Sequence, residues 1–261
     1  HTCGLTATGA VYCWGNNGFG QLGDGGVENN VATPIQVEGS GSGSLVFTSV
    51  SAGFAHTCGV TTAQEAYCWG DNGFGQLGDS TNTTRFVPTR VASGATTFTQ
   101  VSAGSFHTCA LDAAGAAYCW GYNIVGQLGT GVAGAGTEAD APVAVSGGET
   151  FSSVQAGSGH TCAISSAIPA VYCWGDNAFG QLGDGTNIQR LAPWPALAEA
   201  TVLSVSEGHS CSVDPYGDAY CWGRNHRGQL GNGTSTNSPT PTPVLDGRVW
   251  TDISAGYSHT C

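Results

Sequence analysis

The sequence predicts an all-β protein, a β-propeller assembled from four-stranded blades of about 50 residues. Three observations carry that expectation. A His-Thr-Cys signature recurs at His1-Thr2-Cys3, His56-Thr57-Cys58, His107-Thr108-Cys109, His160-Thr161-Cys162 and His259-Thr260-Cys261, with the variant His209-Ser210-Cys211. The intervals are 55, 51, 53, 49 and 50 residues, a period typical of propeller blades. The apolar runs between signatures are short, rich in Val, Phe, Tyr and Trp, and bounded by Gly, which is strand and turn chemistry without helical periodicity.

The second repeat shows the elements in order. Phe47-Thr48-Ser49-Val50-Ser51-Ala52-Gly53 reads as the first strand and His56 to Val60 as the second. Ala66-Tyr67-Cys68-Trp69-Gly70 reads as the third, and a strand ending in Pro88-Thr89-Arg90-Val91 as the fourth. Between the last two lies the turn-forming Asn72-Gly73-Phe74-Gly75-Gln76-Leu77-Gly78. Residues 1–261 therefore read as a single repeat domain, with phases beginning at 1, 56, 107, 160 and 209 and a partial sixth at 259–261.

The chain opens without Met and inside a repeat, which reads as a mature product or as a window from a longer array. Were the ring to close on itself, the strands near Pro241 and Trp250 would complete the sheet begun by residues 1–15, leaving His259-Thr260-Cys261 as a duplicate of His1-Thr2-Cys3.

Composition excludes several classes. Charged residues make up 9% of the chain, against about 25% in an average soluble domain. All six cations are Arg, and with 18 acids the formal charge is −12. Nucleic acids and acidic lipid surfaces demand clustered Lys and Arg, so neither is an expected partner. No run approaches the roughly 20 apolar residues of a membrane helix, and none resembles a signal peptide. The motifs of serine hydrolases, phosphate loops, dinucleotide sites and zinc peptidases are absent, so nothing argues for an enzyme or a cofactor.

Ten of the eleven cysteines pair by spacing. Nine residues separate Cys3 from Cys13, Cys58 from Cys68, Cys109 from Cys119 and Cys211 from Cys221; ten separate Cys162 from Cys173. Each pair falls on consecutive strands of a hairpin, where facing Cα atoms come within disulfide range. One disulfide per blade is expected. The rival reading is zinc, but its Cys-x₂₋₄-Cys spacing is missing. Repeated disulfides imply an oxidising compartment, so the chain is expected to be secreted, extracellular or on a cell surface. Cys261 is left over, expected to be unpaired or to bond between chains.

The remaining candidates divide into scaffold and contact. The His residues recur in every unit, which favours a structural tie between blades over a metal or proton site. Trp14, Trp69, Trp120, Trp174 and Trp222 recur likewise and read as core, with Trp250 standing where other repeats carry Phe. Trp194, between Pro193 and Pro195, departs from the pattern and is a partner-contact candidate. Asn17, Asn72, Asn123, Asn177 and Asn225 read as turn formers. Asp24, Asp79 and Asp184 lack the dense acidic spacing that calcium requires. The variable segments 25–33, 80–86, 130–141, 187–194 and 232–242 are where binding is expected on a repeated scaffold. Asn82-Thr83-Thr84 and Asn232-Gly233-Thr234 match the N-glycosylation pattern. Stretches 41–44 and 235–242 read as exposed and flexible.

The ordered combination of Ser/Ala-Gly, His-Thr, Tyr-x-Trp-Gly-x-Asn and Gly-Gln-Leu-Gly resembles the regulator of chromosome condensation repeat family over essentially the whole chain. The resemblance implies propeller blades of about 50 residues, seven to a ring in typical members. It does not by itself imply a function, because the family includes a nuclear exchange factor, a plant ultraviolet photoreceptor and a secreted bacterial β-lactamase inhibitor. The photoreceptor's Gly-Trp-Arg-His-Thr blades are missing here, and cysteine-paired blades suit a reducing nucleus poorly. The secreted, cysteine-paired kind is the better fit.

The expected function is a non-enzymatic extracellular scaffold binding protein or glycan through its loops. The alternative is a structural subunit, a filament or surface layer in which copies join head to tail. A secreted enzyme inhibitor or enzyme is the distant third.

Overall fold

The computed structural model describes residues 1–26, 30–41, 45–245 and 247–261, so part of segment 25–33 and most of segment 41–44 lie outside the described residues. All regular structure among the described residues is β-strand. Strands β1 (Thr2–Leu5), β2 (Val11–Gly15) and β3 (Val31–Gln36) form a three-stranded sheet. Strands β4 (Phe47–Ala52), β5 (His56–Thr61), β6 (Ala66–Gly70) and β7 (Arg85–Arg90) form the second sheet. The third comprises β8 (Gln100–Ala103), β9 (His107–Leu111), β10 (Ala117–Gly121) and β11 (Ala139–Ala144). The fourth comprises β12 (Phe151–Ala156), β13 (His160–Ser165), β14 (Ala170–Gly175) and β15 (Arg190–Glu199). The fifth comprises β16 (Val202–Val205), β17 (His209–Val213), β18 (Ala219–Gly223) and β19 (Ser238–Pro243).

Each sheet is an antiparallel meander in chain order, so neighbours in sequence are neighbours in the sheet. Two expectations need correcting. The first sheet, β1–β3, has three strands where each of the others has four. The Pro-rich strand β19 does not complete that first sheet. It pairs with β18, placing Thr242 opposite Cys221 and Pro243 opposite Tyr220.

The chain falls into two compact units: His1–Tyr122 with Gly136–Ala144, and Asn123–Ala135 with Val145–Cys261. In the first unit, Trp69, Trp120, Leu77 and Phe98 are fully buried. In the second, Trp174, Trp222, Leu182 and Leu230 take the same role. Aromatic burial of this kind is the largest apolar contribution each repeat can make.

A disulfide cross-links two adjacent strands of every sheet, the middle pair in the four-stranded sheets and β1 with β2 in the first: Cys3–Cys13, Cys58–Cys68, Cys109–Cys119, Cys162–Cys173 and Cys211–Cys221, each with Cα atoms 4.1 Å apart. Cys261 carries a free, exposed thiol.

Glycine fixes the strand ends. Gly70 closes β6 with φ +106°, and a Cβ there would stand 2.7 Å from the His56 Cα. Only Gly both adopts that backbone and lets the two strands meet. Gly78 (φ +68°) lies flat against the next indole, where a Cβ would approach Trp120 Nε1 to 2.7 Å.

Candidate binding surface

The signature residues lock successive repeats together. The carbonyl of Gln21 accepts two hydrogen bonds from the following repeat, from Thr57 Oγ1 (2.7 Å) and Trp69 Nε1 (3.0 Å). Gln76 accepts from Thr108 and Trp120, Gln127 from Thr161 and Trp174, and Gln181 from Ser210 and Trp222. Hydroxyls of this position also meet a histidine: His1 Nε2 lies 2.8 Å from Thr57 Oγ1, and the pairs His56–Thr108, His160–Ser210 and His209–Thr260 are each 2.9 Å apart.

These contacts set the histidine tautomer. A carbonyl only accepts, so the hydroxyl spends its single proton on the Gln oxygen. The imidazole must therefore donate from Nε2–H. A neutral ring then leaves Nδ1 bare, and His56 Nδ1 is buried without a partner. Protonation would place a second N–H where no acceptor faces it. Burial, with a smaller contribution from nearby His107, lowers the His56 pKa from 6.5 to about 3. Burial lowers His107 to about 3 as well. His209 falls to about 4 through burial and then the charge of His259; its Nδ1 faces Ser206 Oγ at 2.8 Å, where other repeats carry Gly. His56 and His209 are thus neutral ties between repeats.

The turn asparagines do more than form turns. Asn72 is fully buried; its Oδ1 accepts from Leu77 N (2.9 Å), and its Nδ2 lies near Asp79 Oδ1 (3.1 Å) and the Thr81 and Thr83 carbonyls. Asn17–Asp24, Asn177–Asp184 and Asn225–Asn232 repeat the arrangement. Asp79 Oδ1 also accepts from Thr81 Oγ1, and its Oδ2 pairs with Arg85 at 2.6 Å. Burial pushes the Asp79 carboxyl up, but the bonds from Thr81, Arg85 and Asn72 and the Arg85 charge outweigh it and hold the pKa below its usual value. Donors already occupy the carboxylate, so its work is to staple the loop. Asn232 is part of such a staple and is half-buried, whereas Asn82 is exposed.

Against this repeated framework, one place in the first unit breaks the repeat pattern. Phe54, Phe74, Phe106 and Tyr122 gather at the loop edge of the second and third sheets. Ring centroids are 5.8 Å apart for Phe54–Phe106, 5.6 Å for Phe74–Phe106 and 4.5 Å for Phe74–Tyr122. Phe54 is 66% exposed and Phe74 38%. The backbone builds this corner: Tyr122 N donates to Phe106 O, and Phe54 N to Gly104 O. Phe74 also lines a neighbouring cleft of about 520 Å³ with Asn82, Glu138 and Asp140. Exposed rings clustered in this way mark an interaction surface.

The equivalent corner of the second unit is filled differently. Phe179 stands where Phe74 does in the repeat, Arg224 where Tyr122 does, and Glu207 where Ser105 does. The Arg224 guanidinium lies 5.1 Å from the Phe179 ring centroid and pairs with Glu207 at 3.0 Å.

Trp194 lies in β15, 48% exposed, with the Arg190 guanidinium 4.3 Å from its ring centroid. It stands outside the aromatic corner. Trp14 is half-buried, unlike its four fully buried counterparts. Trp250 is half-buried and packs against the core of the fifth sheet. The aromatic corner escapes a reading that looks for variability only after Gly-Gln-Leu-Gly. The two residues before each His and the one after each Trp-Gly also vary, and comparing those columns reveals it.

Antiparallel four-stranded sheets tied by repeated loops define a β-propeller repeat protein. The chain belongs to the RCC1-like domain family, whose model matches residues 1–261. It is 34% identical over 194 residues to the ultraviolet-B receptor UVR8 of Arabidopsis thaliana, covering 74% of this chain and 43% of that protein. It is 33% identical over 213 residues to the human E3 ubiquitin-protein ligase HERC2, covering 80% of this chain and 4% of that one. The chain thus spans less than half the length of these relatives.

Among solved structures, human WBSCR16 aligns with a TM-score of 0.87 at 21% identity, covering 99% of this chain and 68% of that one. The ectodomain of the Physcomitrella patens receptor kinase CR4 aligns with a TM-score of 0.61 at 23% identity, covering 97% and 55%. The expectation that the photoreceptor matches poorly is corrected by its 34% identity over 74% of this chain.

Proposed function

We propose that this chain is a non-enzymatic RCC1-like scaffold of an oxidising, extracellular compartment, and that it binds a protein partner at the corner of Phe54, Phe74, Phe106 and Tyr122. That corner carries the reading: four rings at positions free of any repeat-locking role, two of them exposed. Five disulfides, one in every sheet, support the compartment.

A photo-crosslinking phenylalanine at position 54 tests it, with a control at Tyr216, which is 80% exposed in the second unit. Partner proteins from the extracellular fraction are expected at position 54 and not at 216, and their yield falls on Phe74→Ser. Equal capture at both positions refutes the reading. Capture of a second copy, matched by a multiple mass in light scattering, would replace the foreign partner with self-assembly.

A further inference from the structure

We infer that the aromatic corner recognises a cationic side chain, an arginine of an extended basic and apolar segment on the partner protein. The inference rests on the proposed protein-binding role and names the partner's chemistry. Its basis is what this chain does with its own arginines. Arg224 lies over Phe179 and against the carboxylate of Glu207. Arg190 lies over Trp194 and pairs with Asp184 at 2.6 Å. Twice, then, a guanidinium sits between a ring and a carboxylate, the geometry that combines cation–π attraction with charge pairing.

The corner in the first unit offers the same two elements, and among the described residues no arginine lies over its rings. Tyr122 replaces the residue that would have capped Phe74, and Ser105 replaces the anchoring carboxylate. Phe54 and Phe106 enlarge the ring surface. The carboxylates Glu138 and Asp140 are both exposed and border the adjoining cleft with Phe74. Asn82 adds an exposed amide on that border. With a formal charge of −12, the chain also draws a cationic segment and repels an acidic one.

The probe is acetyl-Gly-Val-Arg-Leu-Arg-Gly-amide, with a citrulline twin that keeps the planar shape, loses the charge and exchanges one NH2 donor group for a carbonyl acceptor. Binding is read by amide chemical shifts of the labelled full chain at about 1 mM peptide. The arginine peptide is expected to shift amides around Phe74, Tyr122 and Glu138, and the citrulline peptide to bind about tenfold more weakly. Phe74→Ser is expected to weaken the arginine peptide by about tenfold, and Glu138→Gln with Asp140→Asn by about threefold while flattening its salt dependence. Phe74 is partly exposed and lies outside the repeat locks, so its variant folds; matching disulfide content and circular dichroism check this.

Equal binding of the two peptides overturns the inference, as does no binding at that concentration. Phe74-dependent binding of cellohexaose in place of the peptide would overturn it too, by making the corner a glycan platform. Failure of the parent reading is a separate result. A partner captured at position 54 that ignores salt and the Glu138 and Asp140 variants leaves the scaffold standing and removes the arginine; no position-specific partner removes the scaffold role itself.

Discussion

Lowering the pH from about 7.5 to about 5 is expected to destabilise this protein through its repeated histidines. Their folded pKa lies below the unfolded value, so stability is intact above about 6.5 and is lost as pH falls from there toward about 3. At pH about 5 a buried imidazole stays neutral, while the same group in the unfolded chain holds nearly one proton. Integrating that difference removes about 2 kcal/mol per histidine by pH 5.

His56, His107 and His209 together remove about 6 kcal/mol, an amount comparable with the whole net stability of a typical domain. Asp79 and Asp184, both held below the usual 3.8, weaken the fold only at still lower pH, so the two effects separate. Urea unfolding followed by tryptophan fluorescence at several pH values measures the slope. His56→Gln keeps a donor for Thr108 without a titrating ring, and it should reduce the slope by about 1.4 kcal/mol per pH unit. Constant stability between these pH values, or an unchanged slope in the variant, refutes the neutral-tie argument.

Three further outcomes follow from the same geometry. Thr108→Val leaves the His56 Nε2–H buried without an acceptor and takes one donor from the Gln76 carbonyl; a loss of about 2–3 kcal/mol is expected in urea unfolding. Replacing Cys58 and Cys68 together by Ala opens a short loop and should lower stability by about 3 kcal/mol in the same assay, with the secondary structure intact by circular dichroism. Mild oxidation should join two copies through the exposed Cys261 thiol, giving a dimer band on non-reducing electrophoresis that Cys261→Ser abolishes; a monomer after oxidation refutes it.

The strands, their order and their disulfide register were legible in the sequence because a repeat states each rule several times. His, Thr, Cys, Trp and Gly recur at fixed offsets, and every offset corresponds to one contact. The opening three-stranded sheet and the pairing of β19 with β18 were less legible, since strand grouping depends on which neighbour the Pro-rich segment meets. The role of Asn72 and its counterparts was half legible: Asn beside Gly signals a turn, but burial of the amide beneath Asp79 and Thr81 appears only in three dimensions. The aromatic corner was hidden because its members come from two loops and two strand ends, separated by up to 68 residues from Phe54 to Tyr122.

Where sequence symmetry breaks is itself informative. The Gln carbonyls, Thr hydroxyls, imidazole Nε2 and indole Nε1 atoms satisfy one another, so a change at any of them exposes a buried polar partner. Variation is therefore confined to side chains outside these locks, and most of them are small or polar. Phe54 and Phe74 are among the exceptions, and exposed rings that cluster tend to promote aggregation unless something covers them. In the second unit Arg224 covers the equivalent ring, held by Glu207. Among the described residues the guanidiniums over rings are those of Arg190 and Arg224, neither of them over Phe74, and the carboxylates bordering its cleft are exposed. The chemistry that satisfies one corner from within is the chemistry the other corner asks of a partner.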